Sequence, residues 1–225
     1  MFFKHKLKIG SHLLDDRILK NCFLQHPDNV PEYFKQIPSK TKWMSLRRNK
    51  TLRHCSGFIN YFRNLIVVKA PADFEILYDE KGVHETWMGR GTLNDGRRFQ
   101  THDNAQFLKH VNQNKYAQIG KVMYDFHVQC SVPMTVHNPW WHFVDYEVLP
   151  GVINATSHFQ PLNLFIPLPK DKKHIIIRKD QVLCYLSFQT EKNIKIEYVK
   201  DWDNFHEGDY LFSALKKYIL PKKIK

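Results

Sequence analysis

The sequence predicts a mainly β protein, an antiparallel sandwich or barrel that carries a few short helices. Segments alternating apolar with polar residues recur along the chain, and their pattern indicates about eight to ten strands, enough for such an architecture. Aromatic residues make up 14% of the 225 residues, against only nine glycines, so the chain has the apolar material for a packed core. All-β folds of this length commonly form one domain.

We expect one globular domain with distinct ends. Residues 1–38 are predicted to form an N-terminal arm with a short helix, and residues 39–200 a β-rich core domain. Residues 201–225 combine N-terminal acids with apolar residues at helical spacing and a lysine-rich end, which is typical of a C-terminal helix followed by a basic tail.

The arm begins with lysines that alternate with Leu7 and Ile9, a pattern typical of an edge strand whose charges discourage further pairing. A two-turn helix is predicted over 31–37, with Asp28 or Asn29 offering its N-cap. The arm is thus expected to lie over the core.

The core opens with a short helix over 57–64, which is followed by a buried strand over 65–68. Alternation over 74–79 and 83–87 predicts a hairpin. The clearest strand signal runs from 122 to 132, where six apolar residues recur at a period of two, which a helix rarely produces.

Residues 147–188 are the stretch around which the β pairing is expected to be organised. After a turn at 149–151, Leu162, Leu164 and Ile166 form one face of a strand. A lysine-tipped loop then leads to two returning strands, around 175–177 and 182–188, and a last strand follows at 194–198.

The formal net charge of +12 favours acidic partners such as nucleic acid. Basic residues interleaved with aromatics over 35–69 suit single-stranded nucleic acid, because cations replace counterions and rings stack on bases. A solvated basic loop beside an ordinary helix explains the same pattern. The nucleic-acid candidates are Lys40, Lys42, Trp43, Arg47, Arg48, Lys50 and Arg53.

The cysteines are scattered without a CxxC pair, which indicates reduced, mostly buried thiols rather than a zinc site. Lysines interrupt the apolar N-terminus, so it does not read as a signal peptide, and no apolar window approaches the length of a membrane span. We therefore expect a soluble protein made in the cytoplasm.

Four side chains are the densest group of potential metal ligands: His137, His142, Asp145 and His158. An iron site built from two histidines and one carboxylate needs three such groups to converge. With thirteen histidines in the chain, however, chance proximity is expected. No cofactor is expected, and a divalent metal is the alternative.

Trp140 and Trp141 beside His142 suit a ligand-stacking platform or an interface anchor. The favoured explanation is that one ring caps the core and the other covers a strand edge. The chain has no nucleophile elbow, P-loop or dinucleotide fingerprint. The sequence therefore contains no specific catalytic motif.

Several segments resemble a group of uncharacterised proteins of tailed, marine T4-like bacteriophages. They are 31–38, 53–62, 70–73, 106–108 and 146–153. The resemblance implies a viral source, a phage or host protein as partner, and a location in the host cytoplasm during infection or in the virion. It implies no activity.

A second resemblance covers about 40 residues. Gly151-Val152-Ile153-Asn154, together with the strand at 177–188, is similar to the core hairpin of the dUTPase and dCTP deaminase family. This implies a fold of β-clip or jelly-roll type. The family's functional aspartate falls on Asn154, its tyrosine on Ser157 and its late glutamine on Tyr185. An amide cannot replace a carboxylate base, so the chemistry does not transfer.

These observations favour a non-enzymatic binding or assembly module, with Trp140, Trp141, Gly151 and Tyr185 as ligand-binding candidates. The alternative is a nucleotide-processing or metal-dependent enzyme on a dUTPase-like or cupin-like scaffold, using His142, Asp145 and Asn154. A second alternative is nucleic-acid binding through the basic segment. β-clip relatives are often trimers, so a homo-oligomer is a further expectation.

Overall fold

In the computed structural model of the protein, the described residues are 5–38, 52–88, 91–92, 99–102 and 115–199. They form a mainly β structure of several antiparallel sheets, as the sequence predicts. The predicted C-terminal helix, which falls within 201–225, lies outside these residues.

The first sheet is built on the long strand β8, which has 15 residues. β11 lies along one edge of β8, and β7 and β1 share the other edge; β14 pairs with the far side of β1. The strands are β1 (His5–Gly10), β7 (Phe99–His102), β8 (Tyr116–Cys130), β11 (Gln160–Pro169) and β14 (Ile194–Tyr198).

The second sheet has the order β10-β9-β13-β3-β2. Its strands are β2 (Phe23–Leu24), β3 (Ile66–Lys69), β9 (Met134–His137), β10 (Gly151–Ile153) and β13 (Val182–Phe188). The third sheet, ordered β12-β4-β5-β6, contains β4 (Phe74–Asp79), β5 (Gly82–Met88), β6 (Gly91–Thr92) and β12 (His174–Ile177).

Short helices connect or flank the sheets: α1 (Asp16–Cys22), α2 (Glu32–Gln36) and α3 (Ser56–Arg63), with 3-10 turns at Leu52–His54 and Trp140–His142. None of the helices within the described ranges has the length and apolar character needed to cross a membrane.

The predicted edge strand at the N-terminus is wrong. β1 lies inside the first sheet, antiparallel to β8 and parallel to β14, and Leu7 and Ile9 are fully buried in the main core. The lysines do not prevent pairing, because Lys6 and Lys8 point to the sheet's outer face, where Lys6 forms an ion pair with Glu197.

The expected N-cap of α2 is also wrong. Pro31 occupies that position without a side-chain hydrogen bond. Asn29 is instead buried, and its amide nitrogen donates to the carbonyl oxygens of Phe62 and Leu65, each at 2.7 Å. The residue thus ties the segment before α2 to the end of α3.

Other predicted strands are confirmed. The hairpin of β4 and β5 has the alternating buried face expected from Phe74, Ile76 and Tyr78. β8 buries one face as predicted, although it begins at Tyr116 and ends at Cys130. Three of the four cysteines are buried and all four are free, whereas Cys55 is exposed.

One main core contacts all three sheets, and a smaller cluster lies beside it. The smaller cluster is aromatic: α2 and α3 pack their rings against β3 and β13. Its buried members are Phe34, Phe58, Phe62, Leu65, Val67, Val182 and Tyr185. This cluster supports the site described next.

Candidate functional site

The connection from β9 to β10 carries most of the residues that the sequence singles out. Its 3-10 turn, Trp140–His142, is closed by the amide of His142, which donates to the carbonyl of Pro139 at 2.9 Å. Buried Asn138 accepts from the amide of Val148 at 2.8 Å through its side-chain oxygen. These bonds fix the turn on the second sheet.

Tyr185 of β13 lies beneath this turn and is fully buried. Its hydroxyl accepts from the amide of Trp141 at 3.2 Å and lies 2.7 Å from Nδ1 of His142. The ring of Trp141 packs edge to face on Phe58 of α3. The structure therefore brings together three predicted site residues, Trp141, His142 and Tyr185, although Tyr185 lies 43 residues beyond His142 in the sequence.

Burial controls the charge of this pair. It lowers the pKa of His142 to about 4, with a smaller contribution from the charge of Lys69, and it raises the pKa of Tyr185 far above its usual value. At neutral pH both groups are uncharged. The hydroxyl of Tyr185 then donates to Nδ1 of His142, which places the imidazole proton on Nε2.

The turn separates two clefts. His142 and Lys69 line one, with a volume of about 510 Å³, together with residues of the segment before α2 and of the turn before β13. Trp140, Phe143 and Asp145 line the other, of about 350 Å³. His142 and Asp145 therefore face different clefts, and Asn154 is among the lining residues of neither.

Two acidic groups of the second cleft, Asp145 and Glu147, are ion-paired. Asp145, whose side chain is almost fully exposed, lies 2.5 Å from Nζ of Lys172. Glu147 accepts from the hydroxyl of Tyr116 at 2.5 Å and pairs with Lys115 at 3.1 Å. The bond from Tyr116, followed by the one from Lys115, lowers the pKa of Glu147. The carboxylate of Glu147 is thus held in the charged form.

Two large apolar rings project from the turn, and we call Trp140 and Phe143 together the aromatic ridge. Trp140 is 66% exposed and Phe143 is 76% exposed. Phe143 adopts a left-handed backbone conformation with φ of 49°, which is rare for an aromatic residue. Its ring contacts Tyr33 at a centroid distance of 5.4 Å. The backbone thus accepts strain where it displays this ring.

The remaining candidates in this region have local partners. Gly151 opens β10 opposite Val136, and a side chain at its position would meet no atom within 4 Å. Asn154 is exposed and accepts from the hydroxyl of Thr156 at 3.0 Å. Both residues are exposed to solvent.

The four predicted metal ligands do not converge. His137 bonds to the hydroxyl of Ser187 at 2.7 Å, and His158 contacts Ser157 and Gln160. Across the described ranges, the group of three ligating side chains that lie within 4.8 Å of one another is His12, Asp125 and His127. The sequence carries a signal for two of these, the Asp-x-His spacing on a predicted strand, but it did not place His12 beside them.

Most of the nucleic-acid candidates lie outside the described residues, namely Lys40, Lys42, Trp43, Arg47, Arg48 and Lys50. Arg53 is described and is exposed in the first 3-10 turn. The charges of the described residues nearly balance, so most of the net charge of +12 falls on the other segments.

Comparison with known proteins leaves the site without a family to interpret it. The chain matches no protein-family model, no curated protein and no solved structure.

Proposed function

We propose that the protein is a non-enzymatic binding or assembly module that contacts a protein partner through the aromatic ridge. The observation that carries this proposal is the exposure of two neighbouring rings, Trp140 and Phe143, on one turn. Large aromatic residues are the side chains that most often dominate binding energy at protein interfaces.

The anchoring of the turn supports the same role. Trp141 and His142 are held from below by Tyr185, so the ridge is pre-organised and loses little conformational freedom when a partner covers it. The left-handed backbone at Phe143 orients the exposed ring at an energetic cost.

The polar groups nearby favour binding over acid–base catalysis. His142 has its pKa lowered to about 4 and bonds to a neutral tyrosine, and Asp145 forms an ion pair with Lys172. A general base needs a pKa near the working pH and access to a substrate proton. These pairings stabilise the turn and do not provide a base suited to proton transfer.

The partner class follows from charge and from the resemblance to tailed-phage proteins. A net charge of +12 favours an acidic surface, and the resemblance makes a phage or host protein the expected partner, in assembly or in the virion. The resemblance to the dUTPase family implies only a type of fold and no partner.

The test uses the full chain carrying Trp140→Ser and Phe143→Ser together. The matched control carries Val152→Ser and Ile176→Ser, which remove two exposed apolar side chains elsewhere on the surface. Affinity purification with quantitative mass spectrometry and cross-linking should show a partner that wild type and control retain and the ridge variant loses. The cross-links should fall on the connection between β9 and β10.

A partner captured equally by the ridge variant would exclude the ridge as the contact surface. Binding to a labelled single-stranded oligonucleotide would favour the nucleic-acid alternative if it weakens steeply with salt and is unchanged in the ridge variant. Phage-particle proteomics tests the virion version separately.

A further inference from the structure

Three side chains with metal-ligating atoms meet where the loop after β1 reaches β8. One ligand atom each from His12, Asp125 and His127 lies within 4.8 Å of the other two. Nδ1 of His127 is 3.6 Å from Oδ1 of Asp125, and the rings of His12 and His127 meet edge to face with centroids 5.4 Å apart. The cluster is separate from the aromatic ridge.

The strand pattern explains two members of the cluster. Asp125 and His127 are two residues apart on β8, so they share the face opposite the one that Phe126 and Val128 bury. The pairing of β8 with β11 shifts register here, and Asp125 has a φ of 61°. Irregularities of this kind re-aim side chains.

The pairing of β1 with β8 explains the third member. Gly10, the last residue of β1, lies opposite His127, and the chain then turns across β8. His12, two residues farther on, therefore arrives beside His127. The parallel strand β14 pairs with the other edge of β1, so β1 is fixed on both sides.

Hydrogen bonds hold the carboxylate in position. Oδ2 of Asp125 accepts from the hydroxyl of Ser11 at 2.7 Å and from the amides of His12 and Leu13 at 2.7 and 3.0 Å. Carboxylates that bind metals are commonly fixed through outer hydrogen bonds of this type. Oδ2 makes these bonds, and the other oxygen, Oδ1, is the one that lies 3.6 Å from Nδ1 of His127.

The hydrogen bonds to the loop explain the position of Oδ2 of Asp125, but they do not explain why two imidazoles lie beside this carboxylate. Two ring nitrogens and one carboxylate oxygen form a donor set suited to first-row transition ions, whereas Mg²⁺ and Ca²⁺ prefer oxygen donors alone. The side chains of His127 and Asp125 are only 14% and 18% exposed, while His12 is exposed. The cluster therefore opens to solvent on the side of His12.

We propose that His12, Asp125 and His127 form a binding site for a divalent transition-metal ion of the zinc, iron or cobalt class. The three residues supply two nitrogens and one oxygen, and the solvent side supplies the remaining ligands. Bond lengths of about 2 Å place cis ligands roughly 3 Å apart, so binding draws the exposed ring of His12 inward.

The experiment titrates Co²⁺ and Zn²⁺ into the full chain after chelator treatment. Absorption by cobalt d–d bands and calorimetry with Zn²⁺ should both show one ion per chain. His12→Gln and His127→Gln should each weaken binding at least about tenfold. His84→Gln is the matched control, because it removes an imidazole that pairs with Asp79 at 2.9 Å outside the cluster and should leave affinity unchanged.

The exposed position of His12 keeps the test decisive, since His12→Gln removes a ligand from the surface and circular dichroism can verify that the fold is intact. No binding of either ion by wild type up to about 1 mM, or equal affinity in wild type and His12→Gln, overturns the proposal. The Trp140→Ser and Phe143→Ser variant should bind the ion normally, so this proposal and the ridge proposal fail independently.

Discussion

At the scale of single residues, burial decides the charge state of the polar groups beneath the aromatic ridge. His142 lies 2.7 Å from the hydroxyl of Tyr185 and accepts a hydrogen bond from it, an arrangement that requires a neutral imidazole. Protonation would place a buried positive charge near Lys69, which also lowers the pKa of the ring. The pair is therefore a structural element with a defined response to pH.

We expect the free energy of unfolding to fall as the pH drops from 6.5 toward 4. The pKa of His142 moves from 6.5 to about 4 on folding, so below pH 6.5 the unfolded chain binds a proton that the folded chain does not. Above pH 6.5 the contribution is complete. Urea unfolding measured between pH 7.5 and 4.5 reports the loss.

His142→Gln isolates this contribution from the other histidines. Any packing change in the variant shifts its stability at all pH values, so only the slope below pH 6.5 is informative. We expect that slope to be smaller than in wild type. Equal slopes in the two proteins would show that His142 titrates normally.

At the scale of elements, β1 is the part of the chain whose role differs most from its sequence pattern. Alternating lysines are typical of an edge, yet β1 is paired on both sides and buries Leu7 and Ile9 completely. Lys6 and Lys8 share the outer face, while Leu7 and Ile9 share the inner one. Local alternation defines the faces of a strand but not whether a second neighbour will pair with it.

Leu7→Ala should therefore cost about 2–5 kcal/mol of unfolding free energy, as expected for a fully buried leucine. Denaturant unfolding of both proteins at one pH measures the difference. Leu13→Ala, at a position 59% exposed just beyond β1, is the control and should change stability by less than about 0.5 kcal/mol. A mild effect of Leu7→Ala, similar to that of the control, would contradict the interior position of β1.

At the scale of the whole molecule, one apolar core joins all three sheets. The central stretch contributes to this directly, because β11, β12 and β13 are consecutive in the chain but enter three different sheets. Three cysteines lie in this core: Cys22, Cys130 and Cys184. Burial raises the pKa of each of these thiols, that of Cys22 to about 12.

We expect a thiol reagent to label one cysteine quickly in the native protein and all four in denaturant. Cys55 is the exposed thiol, so Cys55→Ser should abolish the fast phase. The other three should react together at a rate set by opening of the core. Fast labelling of a second thiol in native Cys55→Ser would show that part of the core opens separately.

Much of the local structure could be predicted from the sequence. Period-two alternation gave the buried faces of β4 and β8, and Leu162, Leu164 and Ile166 are buried on β11 as expected. These patterns are local, since each side chain alternates with its neighbours whatever the strand pairs with. The grouping of Trp141 and His142 on one turn was likewise visible from adjacency.

The contacts across the sheets could not be predicted in the same way. Nothing near Asn29 in the sequence points to the carbonyls of Phe62 and Leu65, and nothing near His12 points to Asp125. Both contacts depend on the order of strands, which many pairings of the same alternating segments would satisfy equally well.

By itself, the sequence determined that the chain is mainly β, which residues of its clearest strands face inward and that its cysteines are mostly buried. Only the tertiary structure decided that β1 is an interior strand, that Tyr185 lies beneath the Trp140–His142 turn, and that His12 meets Asp125 and His127. The physical reason is one of range. Alternation and turn propensity act between neighbours, whereas strand order is selected by burying one shared core across the whole chain.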